Sequence, residues 1–178
     1  MQLAPQEPHF HVPLPVPLPW FAVKVRVRGE PQVAQTLRSR EYECVLPTYP
    51  ERRRYSDRLK RIEKALFPGY VFCRFDPLRR LPILTAPGVE HVVSVARVPE
   101  PVPDAEINAI RQIMQSGALA KPWPYLRVGQ QVRIDEGSLL GIEGLLVQER
   151  GKDRLVVSIH LLQRSVAVQV DRESIRPV

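Results

Sequence analysis

Cysteine is almost absent. Cys44 and Cys73 are the only two in 178 residues, and neither has a CxxC or histidine partner at metal-ligand spacing. That excludes a disulfide-stapled scaffold and a zinc ribbon. Each lies in an apolar, strand-like run and reads as the reduced, buried small hydrophobe of a cytoplasmic protein. No apolar run approaches the roughly 20 residues of a membrane helix, so no membrane contact is expected. The opening stretch MQLAPQEPHFHVPLPVPLPW lacks the basic and continuous apolar regions of a signal peptide. Its prolines forbid helix and central strand, so residues 1–18 read as a flexible proline-rich tail, too floppy for His9 and His11 to hold a metal. Also missing are a P-loop, a paired-carboxylate setting and a serine or cysteine nucleophile with a histidine base. No catalytic residue, metal or cofactor is therefore expected.

What is present is positive charge and alternation. The net charge of +7 and pI near 9.8 favour a polyanionic partner. Trp20–Val27 (WFAVKVRV) alternates and predicts a strand with one buried face. Pro31 opens a helix whose face is Val33, Ala34 and Leu37. Glu51–Lys64 (ERRRYSDRLKRIEK) carries seven basic residues and no apolar face. It reads as a solvated hairpin or loop suited to phosphate contact. ALFPGYVFCRFD is strand again, with a turn-bearing aromatic cluster at its start. PLRRLPILTA allows only a short helix, and GVEHVVSVARV another strand. PDAEINAIRQIMQ is a helix with Ile107, Ile110, Ile113 and Met114 as its stripe. Ser116–Tyr125 mixes glycine and proline without periodicity and reads as a linker.

Beyond it the helical period disappears. Five short strands in about fifty residues predict a small closed barrel. The fold class is α+β: an antiparallel sheet with flanking helices over 19–115, a linker at 116–125, and an all-β SH3-like barrel over 126–178.

WFAVKVRVRGE, LPTY, LFPGYVF and APGVEHVVSV with VPDAEINAI follow the order of the N-terminal (NGN) domain of NusG-type transcription elongation factors. VGQQVRIDEGSLLGIEGLLVQE resembles the KOW motif that follows it there. YSDRLKRIEKALFPGYVF and LLQRSVAVQVD are most similar to specialised paralogs of the RfaH and UpxY type. The resemblance implies a transcription elongation and antitermination factor, acting at specific operons. It places Phe67, Pro68, Tyr70 and Phe72 in an apolar pocket for the clamp helices of the largest RNA polymerase subunit. Trp20, Val92, Val95 and Ile110 would be walls or support. Such aromatics equally fill a domain's own core, and both readings stand for Phe72 and Trp20. Arg26, Arg28, Arg52, Arg53, Arg54, Arg58, Lys60 and Arg61 would meet upstream or non-template DNA. In the barrel, SIHLLQR replaces the SIFGR-like turn of housekeeping relatives. His160, Leu161 and Leu162 would therefore face a second partner, the small ribosomal subunit, and the resemblance does not extend to Rho. A monomer is expected. The competing reading is a ribosomal or RNA-binding KOW protein. It leaves Trp20–Gln115 without a purpose.

One further expectation concerns the two domains. The valine-rich alternation of the last fifty residues favours a constitutive barrel over a helical hairpin. The domains should tumble semi-independently with the pocket open.

Overall fold

The computed structural model describes residues 17–54, 59–125, 129–149 and 151–178. The first part runs β1 (Trp20–Val25), α1 (Glu30–Ser39), β2 (Cys44–Val45), β3 (Thr48–Arg54), β4 (Leu59–Ala65) and β5 (Tyr70–Arg74). It continues through α2 (Leu81–Leu84), β6 (Val89–Val92), β7 (Ser94–Val95), β8 (Val98–Pro99), β9 (Pro101–Val102) and α3 (Asp104–Gln115). The sheet order is β2-β5-β1-β6, with β9 also on β1, and the pairings are antiparallel.

The first strand departs from the one-face expectation. Trp20 to Val23 are all buried, and the sheet is covered on both sides. Phe21, Val23 and Val25 join Val33, Ala34 and Leu37 of α1 in one cluster. Trp20 and Ala22 join Phe72 and the α3 residues Ile107, Ile110 and Ile113 in the other. A central strand buried on both faces has no need of polar alternation. Met114, expected on the stripe of α3, is 38% exposed.

The basic stretch forms a hairpin, β3 against β4, as a two-stranded ribbon apart from the main sheet. Its register sets Arg52 opposite Arg61 and Arg53 opposite Lys60.

The second part contains β10 (Ala120–Trp123), β11 (Gln130–Ile134), β12 (Glu143–Glu149), β13 (Lys152–Ile159), β14 (Arg164–Gln169) and β15 (Ile175–Pro177). They form a sheet in the order β10-β14-β13-β12-β11-β15 around Val132, Ile134, Leu155, Val157, Ile159, Val166 and Val168. β10 falls inside the stretch expected to be linker. It pairs with β14 from Ala120↔Val168 to Trp123↔Ser165, giving the barrel a sixth strand. Pro122 and Pro124 had marked this stretch as irregular, but an edge strand tolerates proline.

The open, independent arrangement of domains is not what the structure shows. α3 packs on β13, and one apolar cluster runs from Phe67, Phe72 and Ile110 to the barrel core. Among the described residues of 140–165 the barrel is strand and turn, with one 3-10 turn at His160–Leu162 and no α-helix, as its valine alternation predicted.

Candidate functional site

The Leu66–Gly69 segment turns the chain from the ribbon into β5. Gly69 has φ +82°, a left-handed value that favours glycine. Its N–H donates to Oε1 of Glu30 at 2.7 Å, and its carbonyl accepts the N–H of Val25 at 2.9 Å. Glu30 is only 4% exposed, so a buried carboxylate is spent on fixing this one turn. Sequence reasoning missed Glu30. An acid in the first turn of α1 reads as a partner of the helix dipole, and nothing local betrays a bond across 39 residues.

The turn sets the aromatics. Phe67 and Phe72 meet edge to face with centroids 5.4 Å apart. Both are fully buried, as are Trp20 and Ile110. Pro68 is exposed and Tyr70 half-buried. Lys24 Nζ sits 4.6 Å over the Tyr70 ring. On the barrel side, the Arg164 guanidinium stands 5.3 Å from the same ring centroid. Val92 belongs to the opposite face of the sheet, in the α1 cluster. Val95 is 56% exposed on the β7–β8 hairpin. The structure therefore brings Phe67, Tyr70, Phe72, Trp20 and Ile110 together and leaves Val92 and Val95 elsewhere.

α3 is locked to the sheet beside this cluster. Arg74 bridges Glu43 at 3.2 Å and Asp104 at 3.1 Å, and Arg111 reaches Glu43 at 2.9 Å. Arg74 and Arg111 also lie over the Trp20 ring, at 4.8 and 5.7 Å.

The face of α3 turned away from the sheet meets the barrel. Gln112 Nε2 donates to the carbonyls of Ser138 and Leu140 at 3.1 and 2.9 Å. Glu106 takes the His160 backbone N–H and pairs with its imidazole, which Tyr125 meets edge-on at 6.0 Å. Leu161 and Leu162 are half-buried against the shared apolar cluster. A cleft of about 830 Å³ remains between α3 and the barrel, lined by Asn108, Ala109, Gly144, Leu145 and Val156 among others. Thus His160, Leu161 and Leu162 lie on the same interdomain seam as Tyr70.

The remaining basic residues lie apart. Arg26 and Arg28 are exposed just after β1, Arg28 with φ 72°. Arg61 is exposed on β4. Arg58 lies outside the described residues, as do the side chains of Arg52, Arg53, Arg54 and Lys60. Among the described residues, no group of three or more His, Cys, Asp or Glu is placed to hold a metal ion. No described helix is long and apolar enough to cross a membrane.

The family model described as "Transcription termination factor nusG" matches residues 18–111, more than half the chain. The chain belongs to the NusG family. It is 28% identical to the transcription termination/antitermination protein NusG of Helicobacter pylori strain J99, over 79% of this chain and 88% of that protein. To the Campylobacter jejuni NusG it is 23% identical, over 85% of this chain and 92% of that one. Among solved structures it shares its fold with "Domain interaction in Thermotoga maritima NusG". There the TM-score is 0.55 and the identity 21%, over 90% of this chain and 97% of the other. The NGN domain followed by a KOW barrel is the architecture of this NusG-type chain, and its class of work is transcription termination and antitermination.

Proposed function

We propose that this NusG-family protein is an elongation and antitermination factor of the RfaH and UpxY type. Its NGN domain docks on the clamp helices of the largest RNA polymerase subunit and raises processivity at specific operons. The β3–β4 ribbon, with Arg26 and Arg28, reaches upstream or non-template DNA. The barrel recruits a second partner, the small ribosomal subunit. No chemistry is catalysed, and the protein works as a cytoplasmic monomer.

The observation that carries this reading is the aromatic cluster around Tyr70. It is braced by Glu30 on one side and α3 on the other, and a cationic ribbon leads directly into it. A half-buried tyrosine on a rigid apolar floor is the kind of anchor that dominates interface energies. In the arrangement seen here Arg164 and the barrel cover that anchor, so docking requires the barrel to swing aside. The test is binding of the full-length protein to an isolated clamp-helix coiled coil. Tyr70→Ala should weaken it at least about tenfold while melting stays close to wild type. Unchanged affinity in that variant overturns the docking assignment.

A further inference from the structure

Cys44 and Cys73 stand directly opposite each other across the β2–β5 ladder. Both are free thiols, Cys73 fully buried and Cys44 half-buried. Their sulfurs are 3.1 Å apart. The adjacent residues define the kind of pair. Arg74 N–H donates to the Glu43 carbonyl at 2.9 Å, so Glu43 and Arg74 form the hydrogen-bonded pair and the cysteines the non-hydrogen-bonded one. In such a pair the Cα atoms lie about 4.5 Å apart. A disulfide spans Cα separations of about 4.4–6.8 Å. An S–S bond here needs side-chain rotation and no movement of strands.

The two thiols are chemically unequal. The two sulfurs share one hydrogen bond, and the Cys73 thiol also points at the Arg74 carbonyl. The shared bond holds the Cys44 thiol below its ordinary value against the opposing effect of burial; the Arg38 charge adds to it and the Glu43 charge opposes it. The same bond, with burial, pushes the Cys73 thiol far up. Arg38 is kept close by its own hydrogen bond to the Cys44 carbonyl, 3.1 Å long. A half-buried sulfur near a cation, backed by a fully buried protonated one, is the arrangement of an attacking and a resolving cysteine.

We propose that this pair is a hydroperoxide-responsive dithiol site, with Cys44 attacking and Cys73 resolving. The Cys44 thiolate attacks one peroxide oxygen. The O–O bond breaks, an S–O bond forms, and the leaving oxygen takes a proton and departs as water or an alcohol. The Cys73 sulfur then attacks the sulfenic sulfur of Cys44. The S–O bond breaks, the S–S bond forms, and water departs with the Cys73 proton. Two electrons pass from the dithiol to the hydroperoxide, so nothing further is consumed.

The bond would staple β2 to β5. Val45 is followed within three residues by Thr48, the first residue of the ribbon, and the Pro47 carbonyl already accepts the Leu66 N–H at 2.8 Å. Oxidation would therefore clamp the root of the basic ribbon to the strand bearing Tyr70 and Phe72. In a reducing compartment such a bond is transient, as a sensing disulfide is.

The test uses reduced full-length protein, hydrogen peroxide, and mass mapping after alkylation of remaining thiols. In wild type both thiols should disappear together and the peptides bearing Cys44 and Cys73 should be joined, reversibly with dithiothreitol. Cys73→Ser should stop at a sulfenic acid on Cys44, trapped by dimedone. Cys44→Ser should slow oxidation of Cys73 at least about tenfold relative to Cys44 in the other variant. Because serine at fully buried position 73 is a threat to folding, the wild-type product is decisive by itself. A Cys44 sulfinic acid without joined peptides, or disulfides only between chains, overturns the proposal.

Discussion

The Nδ1 atom of His160, on the barrel, lies 2.7 Å from Oε1 of Glu106, on α3. The His160 backbone N–H donates to the other carboxylate oxygen at 3.2 Å. One side chain of the NGN domain thus holds the KOW turn by two bonds. Glu106→Ala removes both and leaves the buried Ile107 and Ile110 stripe intact. The balance between covered and uncovered Tyr70 should shift by about 1 kcal/mol, about fivefold, towards uncovered. Clamp-helix affinity should rise by that factor, read by titration of full-length wild type and variant. A fall in affinity would place Glu106 in the docking contact itself.

The family resemblance places Phe67 in the docking pocket, where its truncation would cost more binding than stability. Its complete burial reverses the order. Phe67→Ala should cost about 3 kcal/mol or more in unfolding free energy, as a buried aromatic truncation does. Denaturant unfolding measures this, and a cost under about 1 kcal/mol would mean that the ring is not packed as described.

Glu30 and Gly69 form a second buried device. Glu30→Ala leaves the Gly69 N–H unpaired in the interior, at a cost of about 1–3 kcal/mol. Hydrogen exchange should show the Gly69 amide losing protection before the amides of α3 do. Equal protection in the variant would show that another group takes the bond.

Neutralising Arg52, Arg53 and Arg54 removes three charges from one strand of the ribbon. The slope of log affinity for DNA against log salt should fall by about 2 to 3. Binding to the isolated clamp helices should change little. If it collapses, the ribbon belongs to the protein interface and the division of labour proposed here is wrong.

Glu149 supplies the acid sensitivity. Its carboxyl is held below the usual carboxylate range, first by the hydrogen bond from Lys121 and then by that from Arg154, with burial opposing. Lowering the value in the folded state means that the contribution is full above the unfolded carboxylate's pKa of about 4.3. It is lost as pH falls through the folded value. The barrel of Glu149→Gln should melt at the same temperature as wild type in strong acid and below it at neutral pH.

What the sequence disclosed follows from where the periodic signals lie. The α3 stripe was legible because three isoleucines at helical spacing follow an acidic first turn. The barrel was legible from its valine alternation. The double burial of β1 was not, because Lys24 and Arg26 mimic the polar face of a half-buried strand, whereas Trp20 to Val23 are uniformly apolar. The seam between domains was hidden for a related reason. It uses Glu106, Ala109 and Gln112, which on any helix read as the solvent side. Gln112 and Glu106 bond to a barrel that sequence placed behind a long linker, and β10 had already taken up four residues of that linker.

That strand also sets the length of the leash. Between the end of α3 at Gln115 and the start of β10 at Ala120 only residues 116–119 remain. Four residues reach about 15 Å when fully extended. A barrel released from α3 would therefore pivot like a door and never drift away. Whatever it recruited would ride within about that distance of the docked domain. With docking at Tyr70 as proposed, any outside competitor would contend with a neighbour at millimolar effective concentration, and opening would respond to a polymerase held at close quarters far more readily than to one met in passing.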